Sequence, residues 1–264
     1  MKGSNGTSCK IAKDEDGVIT IQCGEGENIT ETTLYKALCG SKAYDPDKKF
    51  CDTRDNKVYR FVTIGEGESA QIWMAENLNY SDSLTYKGME GRSWCRNDEA
   101  ENCTIYGRLY TWAAAMDSVG TWSTNAKGCG YGLKCSPILP VRGMCPQGWH
   151  LPSKAEWETL IVTVDGSIQE YKDDNTASIK LKSTSGWYKD GNGTDSFLFS
   201  GVPSGYKETD GSYNHDNFSA YFWSSTEANG NSAYRTRLFY ETDSMLRYSN
   251  FKNFGFSIRC LKDD

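Results

Sequence analysis

The sequence predicts an α+β domain with long loops that disulfide bonds hold in place. Glycine is abundant, with 26 residues in 264, and Asn, Asp and Ser are also frequent, which is typical of a chain with many turns. The chain has 16 Tyr, 10 Phe and 8 Trp but no long aliphatic run, so we expect short strands anchored by large rings. Ten cysteines complete the pattern.

The cysteines indicate disulfide bonds formed in an oxidising compartment. A zinc site would use closely spaced Cys or His pairs, whereas this chain has no Cys-x-x-Cys and only two histidines. An even number of cysteines with local pairs is typical of exported proteins. The simplest pairing joins Cys9 to Cys23, Cys39 to Cys51, Cys95 to Cys103, Cys129 to Cys135 and Cys145 to Cys260. Ten cysteines permit many other pairings, which the spacing leaves open.

The chain divides into an N-terminal extension and a main domain. Residues 1–55 are polar and Gly-rich, contain four cysteines and predict a small β extension with one strand at residues 18–21. A hairpin follows, in which residues 57–64 and 71–75 are the strands and a Gly-Glu-Gly segment is the turn. We therefore expect the main domain to occupy residues 56–264.

Two main helices are predicted in the main domain. Residues 106–117 carry apolar side chains at helical spacing. A capping box at Ser153 and Glu156 begins the second helix. The apolar faces consist of Leu109, Trp112, Ala113 and Met116 in the first helix, and of Trp157, Leu160, Ile161 and Val164 in the second.

The C-terminal third predicts antiparallel strands. The segments rich in β-forming residues are 197–202, 221–225, 233–240, 245–249 and 255–261. In the last segment Phe256, Ile258 and Cys260 alternate with Ser257 and Arg259, so we expect one apolar and one polar face. A Cys145–Cys260 bond would tie this strand to the middle of the domain.

Charge excludes two classes of partner. The net charge of −6 and the isoelectric point near 5.1 disfavour nucleic acid and anionic membrane surfaces, because both require a basic face. No segment approaches the roughly 20 apolar residues of a membrane span, so no transmembrane segment is expected. The cysteines indicate export, and we expect the native signal peptide to be absent from this sequence.

Several motifs occur in the order found in one bacterial family. The motifs are residues 58–60, 72–80, 106–112, 145–153, 156–157, 199–206, 222–227 and 255–260. Together they make the chain resemble the Fibrobacter succinogenes major paralogous domain over about residues 56–264. The resemblance implies a secreted or outer-membrane protein, often a lipoprotein, of a cellulose-degrading or gut bacterium. It also implies a fold similar to C-type lectin domains and to the formylglycine-generating enzymes, with two main helices, twisted antiparallel sheets and long loops. It implies no known activity.

Catalytic chemistry is not expected. An enzyme of the formylglycine-generating type needs reactive cysteines in its catalytic half, and this chain has none between Cys145 and Cys260. Hydrolysis by a Ser-His-Asp set would need His150 or His215. His150 lies between Trp149 and Leu151 within a family motif and is predicted to be a structural residue near the core. His215 lies in a polar run and is predicted to be a loop residue.

Calcium is the one cofactor that the sequence suggests. Asp190, Asn192 and Asp195 offer hard oxygen ligands in a Gly-rich loop, although the loop departs from the EF-hand pattern. The same residues also fit a plain Asx-rich turn. The Glu-Pro-Asn and Trp-Asn-Asp signatures of calcium-dependent sugar-binding lectins are absent. No other cofactor is expected.

Sugar binding is predicted from aromatic and polar residues that occur together. Tyr and Trp rings stack on the C–H faces of sugars, while Asn, Asp and Arg bind the hydroxyl groups. The candidate ligand residues are Tyr206, Tyr213, His215, Asn217, Tyr234, Arg235 and Arg237. Alternating Tyr and Arg on strands also fit a half-exposed sheet face with cation-π pairs, so this alternative stays open.

The function predicted from the sequence is an exported, non-catalytic binding or adhesion module. The expected ligand is a polysaccharide such as plant cell-wall glycan or cellulose. The alternative is a structural or protein–protein interaction component of the bacterial cell envelope. Both interpretations depend on similarity of fold.

Overall fold

The structure is a computed structural model, and it describes residues 9–15, 18–23, 30–35, 47–81, 92–165 and 175–264. For the first three of these segments it describes the backbone alone. The chain divides into two compact units, residues 1–60 and 61–264. Within the described part of the chain, no helix has the length and apolar character needed to cross a membrane.

The first unit contains short antiparallel strands. They are β1 (Cys9–Glu15), β2 (Val18–Cys23), β3 (Thr30–Tyr35), β4 (Lys49–Asp52) and the first half of β5 (Lys57–Ile64). Strands β1, β2 and β3 form one sheet, and β4 pairs with β5 as far as Arg60. The strand predicted at residues 18–21 is confirmed as part of β2.

The second unit contains the remaining elements. In chain order they are β6 (Gln71–Met74), β7 (Ser93–Cys95), α1 (Ala100–Tyr106), β8 (Arg108–Tyr110), α2 (Trp112–Ala115), β9 (Trp149–His150), α3 (Lys154–Asp165), α4 (Ala177–Leu181), β10 (Tyr206–Lys207), β11 (Tyr213–Asn214), β12 (Ser219–Glu227), β13 (Ser232–Phe239), β14 (Leu246–Phe251) and β15 (Leu261–Lys262). Most of the regular structure is therefore antiparallel sheet, with few helices, as predicted for an α+β chain.

Two sheets organise this unit. The second half of β5 pairs with β6, and β15 joins β6 to β9. Strands β12, β13 and β14 form a separate antiparallel sheet. Short two-stranded sheets are formed by β7 with β8 and by β10 with β11. The predicted hairpin of residues 57–75 and the predicted strands 221–225, 233–240 and 245–249 are confirmed.

Helix α3 begins at the predicted capping box. The backbone N–H of Glu156 donates to Ser153 Oγ at 3.2 Å, and the N–H of Ser153 donates to Glu156 Oε2 at 2.6 Å. The predicted apolar face is buried and consists of Trp157, Leu160, Ile161 and Val164. In the core, the Trp157 ring contacts Trp73 at 4.6 Å and Phe222 at 5.6 Å between centroids.

The prediction of one helix over residues 106–117 is wrong. Helix α1 ends at Gly107, which has a φ of +68°, and β8 separates it from the four-residue α2. A Cβ at position 107 would lie 2.6 Å from Asn77 Cβ, so the close approach of this backbone requires glycine. Thr111 then caps α2 by accepting a hydrogen bond from the N–H of Ala114.

The strand predicted at residues 197–202 is also wrong. Leu198 and Ser200 have φ values of 55° and 53°, which no strand contains. The carboxylate of Asp195 accepts hydrogen bonds from both the N–H and the hydroxyl of Ser200. These local bonds hold the segment as an irregular turn.

The predicted alternation in residues 255–261 is only partly realised. Residues 255–257 form isolated bridges, and the regular strand is limited to β15. The predicted polar face is buried, because Ser257 and Arg259 are both inaccessible to solvent. The Arg259 guanidinium donates to Asn77 Oδ1 and lies 4.4 Å from the centre of the Phe199 ring, which satisfies a charge in the core.

Three predicted disulfide bonds are confirmed. They join Cys95 to Cys103, Cys129 to Cys135 and Cys145 to Cys260. Cys51 is also disulfide-bonded, but its predicted partner Cys39 lies outside the described residues. The register of β1 and β2 places the backbone of Cys9 opposite that of Cys23, whose side chains are likewise not described. These bonds are compatible with an extracellular protein.

Candidate functional site

One face of the β12–β13–β14 sheet carries alternating Tyr and Arg side chains. Tyr221 of β12 pairs with Arg237 of β13, and Arg235 of β13 pairs with Tyr248 of β14. Since successive side chains of a strand point to opposite faces, these four residues share one face. The other face supplies Phe222 and Leu238 to the core, in the same cluster as α3.

The two arginines lie over the rings of this face. The Arg235 guanidinium carbon is 5.0 Å from the centre of the Tyr221 ring and 5.3 Å from that of Tyr248. Arg237 is 5.3 Å from Tyr221. Hydrogen bonds from Arg235 Nε to Asn250 Oδ1 and from Arg237 Nε to Ser219 Oγ fix both positions. The face is therefore a set of oriented cation-π contacts.

Tyr206 of β10 extends this face beyond the sheet. Its ring centroid lies 5.1 Å from Tyr221, 5.4 Å from His215 and 5.7 Å from Phe254. Its hydroxyl donates to Glu208 Oε1 at 2.9 Å, and burial together with this carboxylate raises the Tyr206 pKa above its ordinary value of 10.0. The phenol therefore stays neutral and available as a hydrogen-bonding group.

His215 lies at the edge of this cluster on a turn with a φ of 59°. Partial burial of the ring and then the charge of Arg237 lower its pKa below 6.5. Its Nδ1 lies 3.3 Å from the Tyr221 hydroxyl. The predicted loop position of His215 is confirmed, and the neutral ring can donate or accept a hydrogen bond.

Ring contacts continue from this cluster in both directions. Phe254 contacts Phe251 at 6.3 Å on one side. On the other side Phe239, Tyr240, Phe218 and Tyr188 contact one another in turn, at 4.8, 5.3 and 4.3 Å. We call this connected set the aromatic path; its members are Tyr188, Phe218, Tyr240, Phe239, Arg237, Tyr221, Tyr206, Phe254 and Phe251, with Tyr248 and Arg235 beside it.

The aromatic path reaches solvent at its ends. Tyr188 is 41% exposed, Phe251 is 53% exposed, and the adjoining Tyr248 is 49% exposed. Tyr221, in the middle of the path, is buried, so the exposed rings at the ends are the ones that can stack on the C–H faces of a ligand. Tyr206 and Arg237 are partly exposed and offer a hydroxyl and a guanidinium group to ligand hydroxyls.

The structure brings together four of the seven residues predicted to bind a ligand, namely Tyr206, His215, Arg235 and Arg237. Tyr213 lies on the neighbouring hairpin, where its hydroxyl donates to Asp98 and Lys207 Nζ is 3.8 Å from its ring centre. The Oδ1 of Asn217 accepts from Arg96 at 3.1 Å. Tyr234 lies on the opposite face of β13, with Lys154 Nζ 5.1 Å from its ring centre.

Eight rings of this surface are not among the seven predicted ligand residues. They are Tyr188, Phe218, Tyr221, Phe239, Tyr240, Tyr248, Phe251 and Phe254. The alternation of β14 could have indicated Tyr248 once its register with Arg235 was known. Tyr188 stacks on a residue 30 positions away through turns without periodicity, so no local signal pointed to it.

The segment predicted to bind calcium is a series of turns. Asn192 Oδ1 accepts from the backbone N–H of Trp187 at 3.1 Å, and both carboxylate oxygens of Asp195 accept from Ser200. Asp190 is exposed. Among the described residues no group of three or more His, Cys, Asp or Glu side chains could hold a metal ion. Calcium binding by this segment stays a prediction.

His150 is buried between two carboxylates. Its Nε2 lies 3.0 Å from Glu156 Oε1 and its Nδ1 lies 2.7 Å from Asp263 Oδ1. Burial alone would lower its pKa, but the hydrogen bonds to Glu156 and Asp263 outweigh burial and raise the pKa above 6.5. When the ring is protonated both nitrogens donate to these carboxylates, and His150 joins the start of α3 to the segment after β15.

Comparison with known proteins gives one result. The family model described as the Fibrobacter succinogenes major domain matches residues 62–262. The chain belongs to this family. The match confirms the resemblance seen in the ordered motifs, and the aromatic path lies entirely within the family domain. No curated protein and no solved structure matches the chain.

Proposed function

We propose that this protein is an exported, non-catalytic binding or adhesion module for a polysaccharide such as plant cell-wall glycan or cellulose. The observation that carries the proposal is the aromatic path, in which two series of ring contacts, from Tyr188 to Phe239 and from Tyr221 to Phe251, are joined by the cation-π contacts of Arg237. A connected series of rings with interleaved hydroxyl and guanidinium groups suits a ligand that repeats the same amphipathic sugar face.

The proposal includes a C-type-lectin-like arrangement of the family domain. Antiparallel sheets, the well-capped α3 and the Cys145–Cys260 bond between distant parts of the chain support it. The disulfide bonds support export, and a place at the cell surface or outer membrane, with or without a lipid anchor, belongs to the same proposal.

A non-catalytic role is supported by the state of the two histidines. Both nitrogens of His150 donate to carboxylates, so its ring offers no lone pair to a nucleophile. His215 contacts the Tyr221 and Ser219 hydroxyls only at 3.3 and 3.5 Å. Neither arrangement is that of a base poised against a nucleophile and held by a third group.

A glycan array and a pull-down with insoluble cellulose test the proposal. We expect the wild type to bind at least one polysaccharide, and Tyr248→Ala and Phe251→Ala each to weaken that binding. Tyr234→Ala is the matched control, because this partly exposed tyrosine lies on the opposite face of β13 from the aromatic path. If no glycan is bound, or if all three variants bind equally, the polysaccharide proposal is wrong.

A specific observation also favours a second function, that of a structural or protein–protein interaction component of the cell envelope. Ile138 and Leu139 are adjacent, apolar and strongly exposed. Such a pair is typical of a contact with another protein. Co-purification of an envelope protein with the wild type, and its loss in an Ile138→Ser/Leu139→Ser variant, would support this second function.

A further inference from the structure

A pocket of about 430 Å³ lies beside the loop that the Cys129–Cys135 bond closes. Its lining includes Arg92, Thr111, Tyr131, Leu133, Lys252 and Asn253. Lys252 and Asn253 directly follow Phe251 and precede Phe254, the two rings at one end of the aromatic path. The volume is within the range of about 300–1,000 Å³ that is usual for small-molecule sites.

The wall of this pocket is held by a buried cation. Lys252 is 1% exposed, and its Nζ donates to the carbonyl oxygens of Gly130, Leu133 and Gly230 at 2.9–3.1 Å. Its Nζ also pairs with Glu227 and lies 4.5 Å from the centre of the Trp112 ring. The disulfide bond closes the same loop. The backbone that carries Tyr131 and Leu133 is therefore fixed in position before any ligand arrives.

The side chains carried by this fixed wall point outward. Tyr131 is 52% exposed and Leu133 is 57% exposed, although the backbone on either side of them is bound to Lys252. A loop that needed only to be stable would gain by burying such side chains. A rigid loop that presents an aromatic ring at the mouth of a pocket is typical of a binding site.

The polar groups of the pocket suit hydroxyl groups. Asn253 lines the pocket and is partly exposed, so its side-chain amide offers a polar group to a ligand. Arg92 is exposed at the rim and offers donors. A sugar supplies hydroxyls that both donate and accept, together with a C–H face for Tyr131.

We propose that this pocket is a subsite for one neutral sugar residue at the end of the polysaccharide chain bound along the aromatic path. This inference rests on the proposed function. The Asn253 side-chain amide binds one sugar hydroxyl, Arg92 donates to another hydroxyl, and the Tyr131 ring stacks on the sugar. Because the subsite recognises one residue, it also binds short oligosaccharides that are too small to span the path.

The test measures short and long ligands separately. Titration calorimetry with cellotetraose and xylotetraose reports the pocket, and the pull-down with the insoluble polymers reports the path. We expect Tyr131→Ala and Asn253→Ala each to lower the affinity for the bound tetrasaccharide at least fivefold while changing retention on the polymer less. Ile138→Ala is the control, since this exposed residue follows the same loop but does not line the pocket.

A further pocket variant separates loss of binding from loss of folding. Leu133→Trp narrows the mouth of the pocket without removing any hydrogen bond of Lys252, and we expect the same fivefold loss with an unchanged Tm. The inference is overturned if the wild type binds polymer but neither tetrasaccharide, or if all pocket variants bind the tetrasaccharide as the wild type does. In both cases the proposed function stands. If the wild type binds neither polymer nor tetrasaccharide, both proposals are wrong.

Discussion

The guanidinium carbon of Arg237 lies 4.0 Å from the centre of the Phe239 ring. Arg237 also lies over Tyr221, so this one side chain joins the two halves of the aromatic path. Its guanidinium is held in place by a hydrogen bond to Ser219, and no carboxylate of the part of the chain that the structure describes pairs with it. Arg237 and the neighbouring rings therefore form a cation-π surface.

Arg237→Met should weaken polysaccharide binding without unfolding the protein. The apolar stem of the side chain is kept, and the loss of cation-π and hydroxyl contacts of about 0.5–1 kcal/mol corresponds to roughly a two- to fivefold loss of affinity. Arg247→Met is the matched control, because Arg247 pairs with Glu158 at 2.8 Å on the opposite face of the sheet. Binding isotherms on the polymer measure the difference, and equal effects of the two variants would contradict this role of Arg237.

Lys252→Met should destabilise the protein strongly. The substitution leaves the Glu227 carboxylate and three carbonyl groups without their cation, and such a loss from a buried pair costs about 3–5 kcal/mol. Lys180→Met, at a lysine that is partly exposed and 3.6 Å from Asp165, should cost less than about 1 kcal/mol. Urea unfolding measures both. If Lys252→Met costs no more than Lys180→Met, the Lys252 contacts do not hold the loop that the Cys129–Cys135 bond closes.

The confirmed disulfide bonds should contribute unequally to stability. Cys145 and Cys260 are separated by 115 residues, whereas Cys129 and Cys135 are separated by 6. In the loop-entropy model, removing the first bond costs about 5 kcal/mol and removing the second costs about 2 kcal/mol. Paired Cys→Ala variants followed by urea unfolding test this order. A reversed order would mean that the long bond does not limit the unfolded chain as proposed.

The contribution of His150 to stability should depend on pH. Its pKa is raised by folding, so its contribution is fully present below the ordinary value of 6.5 and is lost as the pH rises through the folded value. Glu156 has a pKa lowered from 4.5, because the hydrogen bonds from His150 and Ser153 outweigh burial, so its contribution is lost as the pH falls through the folded value. The His150–Glu156 pair therefore stabilises the folded state most at pH values between the folded pKa of Glu156 and that of His150.

Comparison of the wild type with His150→Gln at about pH 5.5 and about pH 8.5 measures this dependence. We expect the free energy of unfolding to differ more at the lower pH. His215→Gln is the control, since the pKa of His215 is lowered and its effect on stability has the opposite sign with pH. A His150→Gln difference that does not change with pH would rule out an imidazolium between Glu156 and Asp263.

The elements that local sequence determines were predictable. The capping box of α3 needs only Ser153 and Glu156, three residues apart, and the 57–75 hairpin needs only its two strands and its turn. The disulfide pairing of distant cysteines was predicted because Cys260 lacks a neighbouring partner in the sequence. The first two signals lie within short segments, and the third follows from counting the cysteines and their neighbours in the sequence.

The elements that distant contacts determine were not predictable. Residues 106–117 have helical spacing, yet Asn77 and Leu78 approach Gly107 so closely that the helix stops there. Arg259 alternates like an exposed residue, but its partner Asn77 lies 182 residues away. Four of the seven predicted ligand residues lie together, but the rings that extend the surface come from β13, β14 and separate loops, and their contacts depend on strand register and on the tertiary fold.

A depletion isotherm on insoluble cellulose and xylan measures whether the aromatic path binds polysaccharide, using a variant that removes the exposed rings at its ends and the adjoining Tyr248. Tyr188→Ala/Tyr248→Ala/Phe251→Ala should keep the Tm of the wild type within a few degrees, because the three residues are 41–53% exposed. Its affinity for the bound polymer should fall at least tenfold, while Tyr234→Ala binds as the wild type does. A triple variant that binds with wild-type affinity would contradict polysaccharide recognition by the aromatic path.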